Sequence, residues 1–341
     1  MREQTYILGP CAAESREQVM ATAKAITDRF ADRLIYRAGV WKPRTSPSTF
    51  QGAGEQALEW LAEVKATYGI PVATEVATPE HVEAALKAGI DYLWIGARTS
   101  ANPLAVQGIA DRLRVTGYGL RGLFIKNPVN KDAQLWLGNI ARLEKAVDGE
   151  GVKVYAVHRG CGHEPCWSMA HQVRLARPDI PMLLDPSHMS GDAAKVPELM
   201  TKVAELGLDG AMIEVHIHPE TALSDAKQQI TPDELNAALL TDRSTDRPLT
   251  LTDRYADRLE LNWLRAEIDE IDAHLWDTIA ARMDVSKRIG EWKKAHGVAP
   301  LQPERYQAIV ERLRVTDYGL PNEFMLRMWD LIHEESLKQQ Q

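Results

Sequence analysis

Eight short runs of strand-forming residues, each followed by a stretch of helical spacing, fill residues 1 to about 240, and no such run follows them. The runs are Tyr6–Cys11, Leu34–Lys42, Pro71–Ala77 and Asp91–Ala97, then Gly122–Pro128, Val154–Cys161, Pro181–His188 and Gly210–Pro219. Segments between them, such as Pro79–Ala88 and Lys195–Leu206, space their apolar residues three and four apart. Gly69, Gly89 and Gly207 stand where such helices would stop. A helix between successive strands implies crossover connections and therefore a parallel sheet. Eight units in this length predict an α/β fold, a closed (β/α)8 TIM barrel. An open doubly wound sheet is the other candidate, but no Gly-rich nucleotide loop follows the first run.

The pattern breaks at residues 241–256 (TDRSTDRPLTLTDRYA), where Thr, Asp, Arg and Pro dominate. This predicts a barrel over 1–242, a linker over 243–256 and an all-α domain over 257–341. In that last part Leu261, Leu264, Ile268, Ile271, Leu275, Thr278, Arg282, Val285 and Ile289 step by three and four. Pro300 and Pro303 close this helix, and shorter ones are expected around 304–316 and 322–338. A helix over 257–296 would be about 60 Å long. Its apolar stripe needs cover, which predicts a homodimer through the helical region.

Charge and cysteine content narrow the function. A net charge of −8 disfavours nucleic acid and anionic membranes as partners, so an anion site must be a local cluster of cations. No stretch approaches the ~20 apolar residues of a membrane span. The opening MREQTYILGPCAAES has no secretory character, and three cysteines are too few for a disulfide scaffold, so a cytoplasmic location is expected.

In a (β/α)8 barrel the reactive groups gather at the C-terminal ends of the strands. Those ends carry Cys11, Arg37 with Lys42 and Arg44, Glu75, Arg98, Lys126, Arg159, His188 and Glu214, with Asp225 in the loop after the last strand. Thiol, imidazole and carboxylates at Cys11, His188, Glu214 and Asp225 suit one first-row divalent ion: Mn2+, Fe2+, Co2+ or Zn2+. Buried polar strand ends would explain each singly, but not their joint occurrence. A rival zinc set is His158, Cys161, His163 and Cys166 in HRGCGHEPC. The cations Arg37, Lys42, Arg44, Arg98, Lys126 and Arg159 at one mouth of an acidic protein point to phosphate and carboxylate groups on a ligand. A metal beside phosphate-holding cations suits aldol-type chemistry on sugar phosphates.

The strings GPCAAES (9–15), WKPRTSPSTFQG (41–52), IGAR (95–98), IKNP (125–128), DPSH (185–188), IEVH (213–216) and ALSD (222–225) resemble metal-dependent 3-deoxy-D-arabino-heptulosonate 7-phosphate (DAHP) synthases of the short microbial type. The resemblance implies condensation of phosphoenolpyruvate with erythrose 4-phosphate. It assigns Cys11, His188, Glu214 and Asp225 to the metal, Mn2+ first among candidates. It gives phosphoenolpyruvate to Arg37, Arg98, Lys126, Arg159 and His188, and erythrose 4-phosphate to Lys42, Pro43, Arg44 and Thr45. Lys126 and Lys42 would be catalytic, Lys126 as proton donor. HRG (158–160) and IKNP depart from the Glu-Arg-Gly and Lys-Arg-Gly of many relatives but keep the cation. The alternatives are a 3-deoxy-octulosonate 8-phosphate synthase-like barrel, which the KPRT string at 42–45 argues against, and a regulatory barrel that binds phosphorylated ligands and carries a dimerisation tail.

LNWLRAEIDEIDAHLWDTIAARMDVSKRIGEWKKAHG (261–297), PERYQAIVERL (303–313) and IHEESLKQQ (332–340) resemble the all-helical chorismate mutases. Arg282 lies in the apolar seam, and Lys293, eleven residues on, shares its face. Chorismate rearrangement to prephenate needs a held conformer and a stabilised ether oxygen, which cations supply. The resemblance implies a pocket of Arg265, Arg282, Lys293, Arg305, Ser336 and Gln340, with Arg265 supplied by the second chain of a dimer. Gln302 and Tyr306 depart from the Asp and Glu of many relatives. Feedback on the barrel by prephenate or chorismate is a further expectation.

Overall fold

The computed structural model describes residues 4–30, 34–42, 48–116, 119–242 and 253–340. The chain runs through β1 (Thr5–Gly9), α1 (Arg16–Phe30), β2 (Leu34–Arg37), α2 (Gln56–Tyr68), β3 (Val72–Val76) and α3 (Pro79–Lys87). Next come β4 (Tyr92–Ile95), α4 (Ala97–Ser100), α5 (Pro103–Thr116), β5 (Gly122–Lys126), α6 (Ala133–Ala146) and β6 (Lys153–His158). The barrel ends with α7 (Trp167–Ala176), β7 (Met182–Leu184), α8 (Pro186–Ser190), α9 (Val196–Glu205), β8 (Gly210–Glu214) and α10 (Pro232–Asp242). Strands β1 to β8 close in sequence order, every pair parallel.

All eight runs of the sequence become strands, but each strand is shorter than its run. The C-terminal part of each run leaves the ladder, which puts Cys11, Lys42 and Asn127 on loops above the strand ends and His188 in the short helix α8. Two hydrophobic layers result. Ile7, Ile35, Ala73, Trp94, Phe124, Tyr155, Leu183 and Met212 fill the barrel interior, with Phe124 packed between Tyr92 and Tyr155 at ring distances of 5.4 and 5.0 Å. The outer layer joins the opposite strand faces to the helices. The interior is thus a packed core that forms the floor of the mouth. Gly9 is at φ +149, and a Cβ there would strike the Arg37 carbonyl, so glycine lets β1 approach β2 closely beneath the site.

The seam between β7 and β8 is thin, with the single register pair Leu184↔Ala211. Side chains reinforce it: Asp209 Oδ2 accepts from Met182 N at 2.9 Å, and Ser187 Oγ accepts from Glu214 N at 3.0 Å.

Residues 243–252, most of the expected linker, lie outside the described residues. Helix α11 then runs Asp253–Ala295, starting within the stretch expected as linker, and is followed by α12 (Pro303–Val315) and α13 (Asn322–Gln339). The chain divides into compact units Met1–Glu267 and Ile268–Gln341. The first ends within α11: Trp263 is 3% exposed and donates from Nε1 to the Leu206 carbonyl at 3.1 Å, while Asn262 Nδ2 donates to the Glu205 carbonyl at 2.8 Å. In the second unit much of the apolar stripe faces outward, with Ile271 62% and Trp276 66% exposed. No described helix is long and apolar enough to cross a membrane.

Candidate active site

The mouth is built around Arg37, the last residue of β2 and 1% exposed. Its Nη2 donates to Glu214 Oε1 at 3.2 Å and to the Cys11 carbonyl at 3.4 Å, and its guanidinium lies 4.6 Å over the Trp94 ring. Its Nε and Nη1 are buried and have no partner among the described residues. Buried guanidinium donors left unpaired are costly, so they mark a place where an anion belongs.

Around it stand the nominated metal ligands. Cys11 Sγ lies 3.0 Å from Lys42 Nζ and 3.1 Å from Asp225 Oδ2. His188 Nε2 lies 3.6 Å from Glu214 Oε1, and Gln228 Nε2 donates to Glu214 Oε2 at 2.7 Å. Burial alone would raise the Glu214 carboxyl, but His188, Arg37 and Lys42 outweigh it and hold it below the usual range. Burial first, then Glu214, pushes the Cys11 thiol up. Asp225 sits in the left-handed region at φ 49, a strained backbone at the rim. Among the described residues no three His, Cys, Asp or Glu side chains form a finished coordination cage. The donors are drawn up in two pairs, Cys11 with Asp225 and His188 with Glu214, and Lys42 and Arg37 balance their charge. A thiol, an imidazole and two carboxylates at one rim, with Cys11 and Glu214 buried, His188 half-buried and Asp225 exposed, fit a first-row divalent ion in donor chemistry. The family described below is in general divalent-metal dependent.

Lys126 ends β5 and is 4% exposed; its Nζ donates to Asp185 Oδ2 at 2.6 Å and lies 3.4 Å from His188 Nδ1. Asp185 also accepts from His188 N at 3.0 Å as the N-cap of α8. Burial would raise the Asp185 carboxyl, yet the charges and hydrogen bonds of His188 and Lys126 hold it well below the ordinary carboxylate range. Arg159 follows β6; its backbone N donates to Asn127 Oδ1 at 2.7 Å and its Nη2 to the His188 carbonyl at 3.3 Å. Arg98 lies in α4, just past β4. Pro43, Arg44 and Thr45 lie outside the described residues.

Sequence reasoning missed Asp185, Asn127, Gln228 and Ser187. Asp185 had a signal: Asp followed by Pro at a strand end reads as a helix N-cap with Pro at N1, the kind of residue that aims neighbours into a mouth. The rival zinc set does not assemble among the described residues. His158 is fully buried, stacked at 6.1 Å from Trp136 and tilted at 5.4 Å from Trp167, and its Nε2–H donates to the Pro165 carbonyl at 2.6 Å. Burial pushes its imidazole down from 6.5 to about 4. It therefore stabilises the fold as the neutral form, fully above the unfolded value and progressively less as pH falls from there towards about 4, by roughly 3 kcal/mol in all. The urea midpoint of the wild-type chain should fall more steeply across that window than that of His158→Gln; parallel curves would contradict this.

In the second unit, Arg282 donates from Nη1 to Ser336 Oγ and lies 5.1 Å over the Trp329 ring. Lys293 Nζ donates to Gln340 Oε1 at 2.9 Å and to the Pro300 carbonyl at 2.6 Å. Four nominated residues thus meet in two pairs. Arg305 is exposed on α12, and Arg265 belongs to the first unit. Tyr306 Oη donates to Asp330 Oδ1 at 2.5 Å.

Comparison with known proteins agrees with this geometry. The DAHP synthetase I family matches residues 2–132 and 149–249, and the chorismate mutase type II family matches 264–341. A phospho-2-dehydro-3-deoxyheptonate aldolase of Thermotoga maritima is 32% identical over 238 residues, 66% of this chain and 65% of that protein. The match thus spans about two thirds of that relative's length. A 2-dehydro-3-deoxyphosphooctonate aldolase of Bordetella petrii is 28% identical over 69% of this chain and 87% of its own. The crystal structure of a Thermotoga maritima DAHP synthase superposes with a TM-score of 0.61 at 25% identity, covering 72% of this chain and 70% of that one. The chain belongs to the DAHP synthetase I family, and joins a barrel of that family to a chorismate mutase type II domain at its C-terminus.

Proposed function

We propose that the barrel condenses phosphoenolpyruvate with erythrose 4-phosphate to DAHP and phosphate, and that the C-terminal helices convert chorismate to prephenate. The observation that carries the first reading is the buried Arg37, whose Nε and Nη1 have no partner among the described residues and which shares the Cys11 carbonyl with Lys42. Arg37, Arg98, Lys126 and Arg159 hold the phosphate and carboxylate of phosphoenolpyruvate, while Lys42 with Pro43, Arg44 and Thr45 receives the aldose phosphate. Cys11, His188, Glu214 and Asp225 would hold one divalent ion, Mn2+ before Fe2+, Co2+ or Zn2+, which when bound supplies Lewis-acid polarisation of the aldehyde carbonyl. Asp185 fixes the direction of Lys126 Nζ, so that Lys126 can give a proton to the forming alkoxide. The methylene carbon of phosphoenolpyruvate bonds to the aldehyde carbon, C2 takes up water, and phosphate leaves from C2.

The test is phosphoenolpyruvate consumption by chelator-stripped protein, with and without Mn2+, offered erythrose 4-phosphate or arabinose 5-phosphate. Turnover should fall more than about 100-fold on stripping and return with metal, for the four-carbon sugar. Turnover with the five-carbon sugar alone would favour an octulosonate synthase. Cys11→Ala should not be rescued by Mn2+; full activity with stoichiometric metal would remove Cys11 from the ligand set.

The mutase reading rests on Arg282 and Lys293, each paired with a polar neutral group that can yield to a carboxylate. Chorismate loss by the full chain tests it, and an effect of added prephenate on the synthase rate tests feedback. The exposed stripe of α11 supports a homodimer, to be read from sedimentation equilibrium. A cytoplasmic site of action fits these substrates.

A further inference from the structure

We propose that Trp263, from the N-terminal part of α11, is a positioning residue for the phosphoenolpyruvate side of the barrel mouth. It acts through a row of packed rings on the loop that carries Arg159. The inference rests on the synthase reading for its functional consequence and on geometry alone for its structural one.

The row is continuous within the first compact unit. His171 of α7 stacks on Trp263 at 5.4 Å and 9°, and its Nδ1–H donates to Glu267 Oε1 at 2.5 Å. The edge of Trp263 meets Trp167, the first residue of α7, at 6.1 Å and 73°. Trp167 packs on His158 at 5.4 Å, and His158 on Trp136 at 6.1 Å. His158 is the last residue of β6, so Arg159 is its immediate neighbour in the chain.

The loop between β6 and α7 depends on these rings for its shape. His158 Nε2 donates to the Pro165 carbonyl at 2.6 Å and so ties the two ends of the loop together. Between them Cys161 and Glu164 exchange backbone hydrogen bonds of 2.9 and 3.1 Å, and Cys166 enters α7 in the left-handed region at φ 52. That strained entry persists only while its surroundings hold it, and its chain neighbour Trp167 is packed against Trp263 and His158. On the mouth side Asn127 takes the Arg159 amide at 2.7 Å and donates to the Gly160 carbonyl at 2.9 Å. Arg159 is thus aimed by Asn127 from one side and by the His158–Trp167–Trp263 stack from the other. Trp263 itself cannot swing away freely, because its indole N–H is spent on the Leu206 carbonyl at 3.1 Å.

The full-length chain with Trp263→Ala is compared with wild type by steady-state kinetics and by amide exchange of the segment 159–166. KM for phosphoenolpyruvate should rise about tenfold, with KM for erythrose 4-phosphate unchanged and kcat within about twofold. Exchange in 159–166 should quicken, and Trp263→Phe should restore both. A change confined to kcat, with KM and exchange as in wild type, is what a merely structural residue gives and would overturn the proposal. If Trp263→Ala does not fold, Trp263→Leu is read by the same criteria, and wild-type KM and exchange in it would equally overturn it. A wild-type protein without phosphoenolpyruvate turnover sinks the synthase reading instead; unaltered exchange in the variant would then reject the positioning role separately.

Discussion

Arg37→Lys is expected to lower kcat/KM for phosphoenolpyruvate by about three orders of magnitude. Lysine keeps the charge near Glu214 but loses the planar fork. The Nε and Nη1 donors, unpartnered among the described residues, are the ones an anionic substrate would use. Each hydrogen bond to a charged group is worth roughly 1.5–3 kcal/mol, so losing two costs a factor of about 10²–10⁴. Arg37→Ala should add a folding defect, because it leaves Glu214, which is fully buried, without its guanidinium partner. Breaking a buried pair on one side costs about 3–5 kcal/mol. Initial rates over a phosphoenolpyruvate series, with urea unfolding of both variants, separate the two effects. A lysine variant within a few-fold of wild type would mean that the unpaired donors do not face substrate.

Asp185→Asn should reduce kcat by about 10²–10³, and it carries its own folding cost of up to about 3–5 kcal/mol because Lys126 is left buried without its anion. Asparagine can still cap α8, so local structure is kept. What changes is the charge that orients Lys126 at 2.6 Å and the ring of His188 at 3.1 Å. If Asp185 works through Lys126, the double variant Asp185→Asn/Lys126→Met should be no slower than Lys126→Met alone. Additive losses would show that Asp185 acts elsewhere, for instance only through His188.

The barrel was legible because short β-type runs alternate with helical stretches, some closed by glycine as at Gly69, Gly89 and Gly207, and eight repeats of that alternation admit few other folds. Arg37, Lys126 and Glu214 were legible for the same reason: they end their runs, and strand ends meet at one mouth. Asp185 was not, since its partner Lys126 is 59 residues away and no local pattern encodes a contact across the barrel. HRGCGHEPC misleads in the opposite direction. Its spacing imitates a zinc loop, but the ring of His158 is held between two tryptophans and its donor goes to a backbone carbonyl. The helical region read as a separate domain from residue 257, yet Trp263 belongs with the barrel core. Periodicity tells which face of a helix is apolar and says nothing of what that face will meet.

The single register pair between β7 and β8 has a consequence for how this barrel breathes. A closed ring of strands offers no free edge, so local opening must begin at its weakest junction. Here that junction lies between the strand that leads to His188 and the strand that ends in Glu214, stitched by Asp209 and Ser187. The least protected amides of the sheet should be those of Met182–Leu184 and the facing residues of β8. A substrate that draws His188 and Glu214 together would lace the ring shut from above, and slowed exchange at this junction would report occupancy of the mouth.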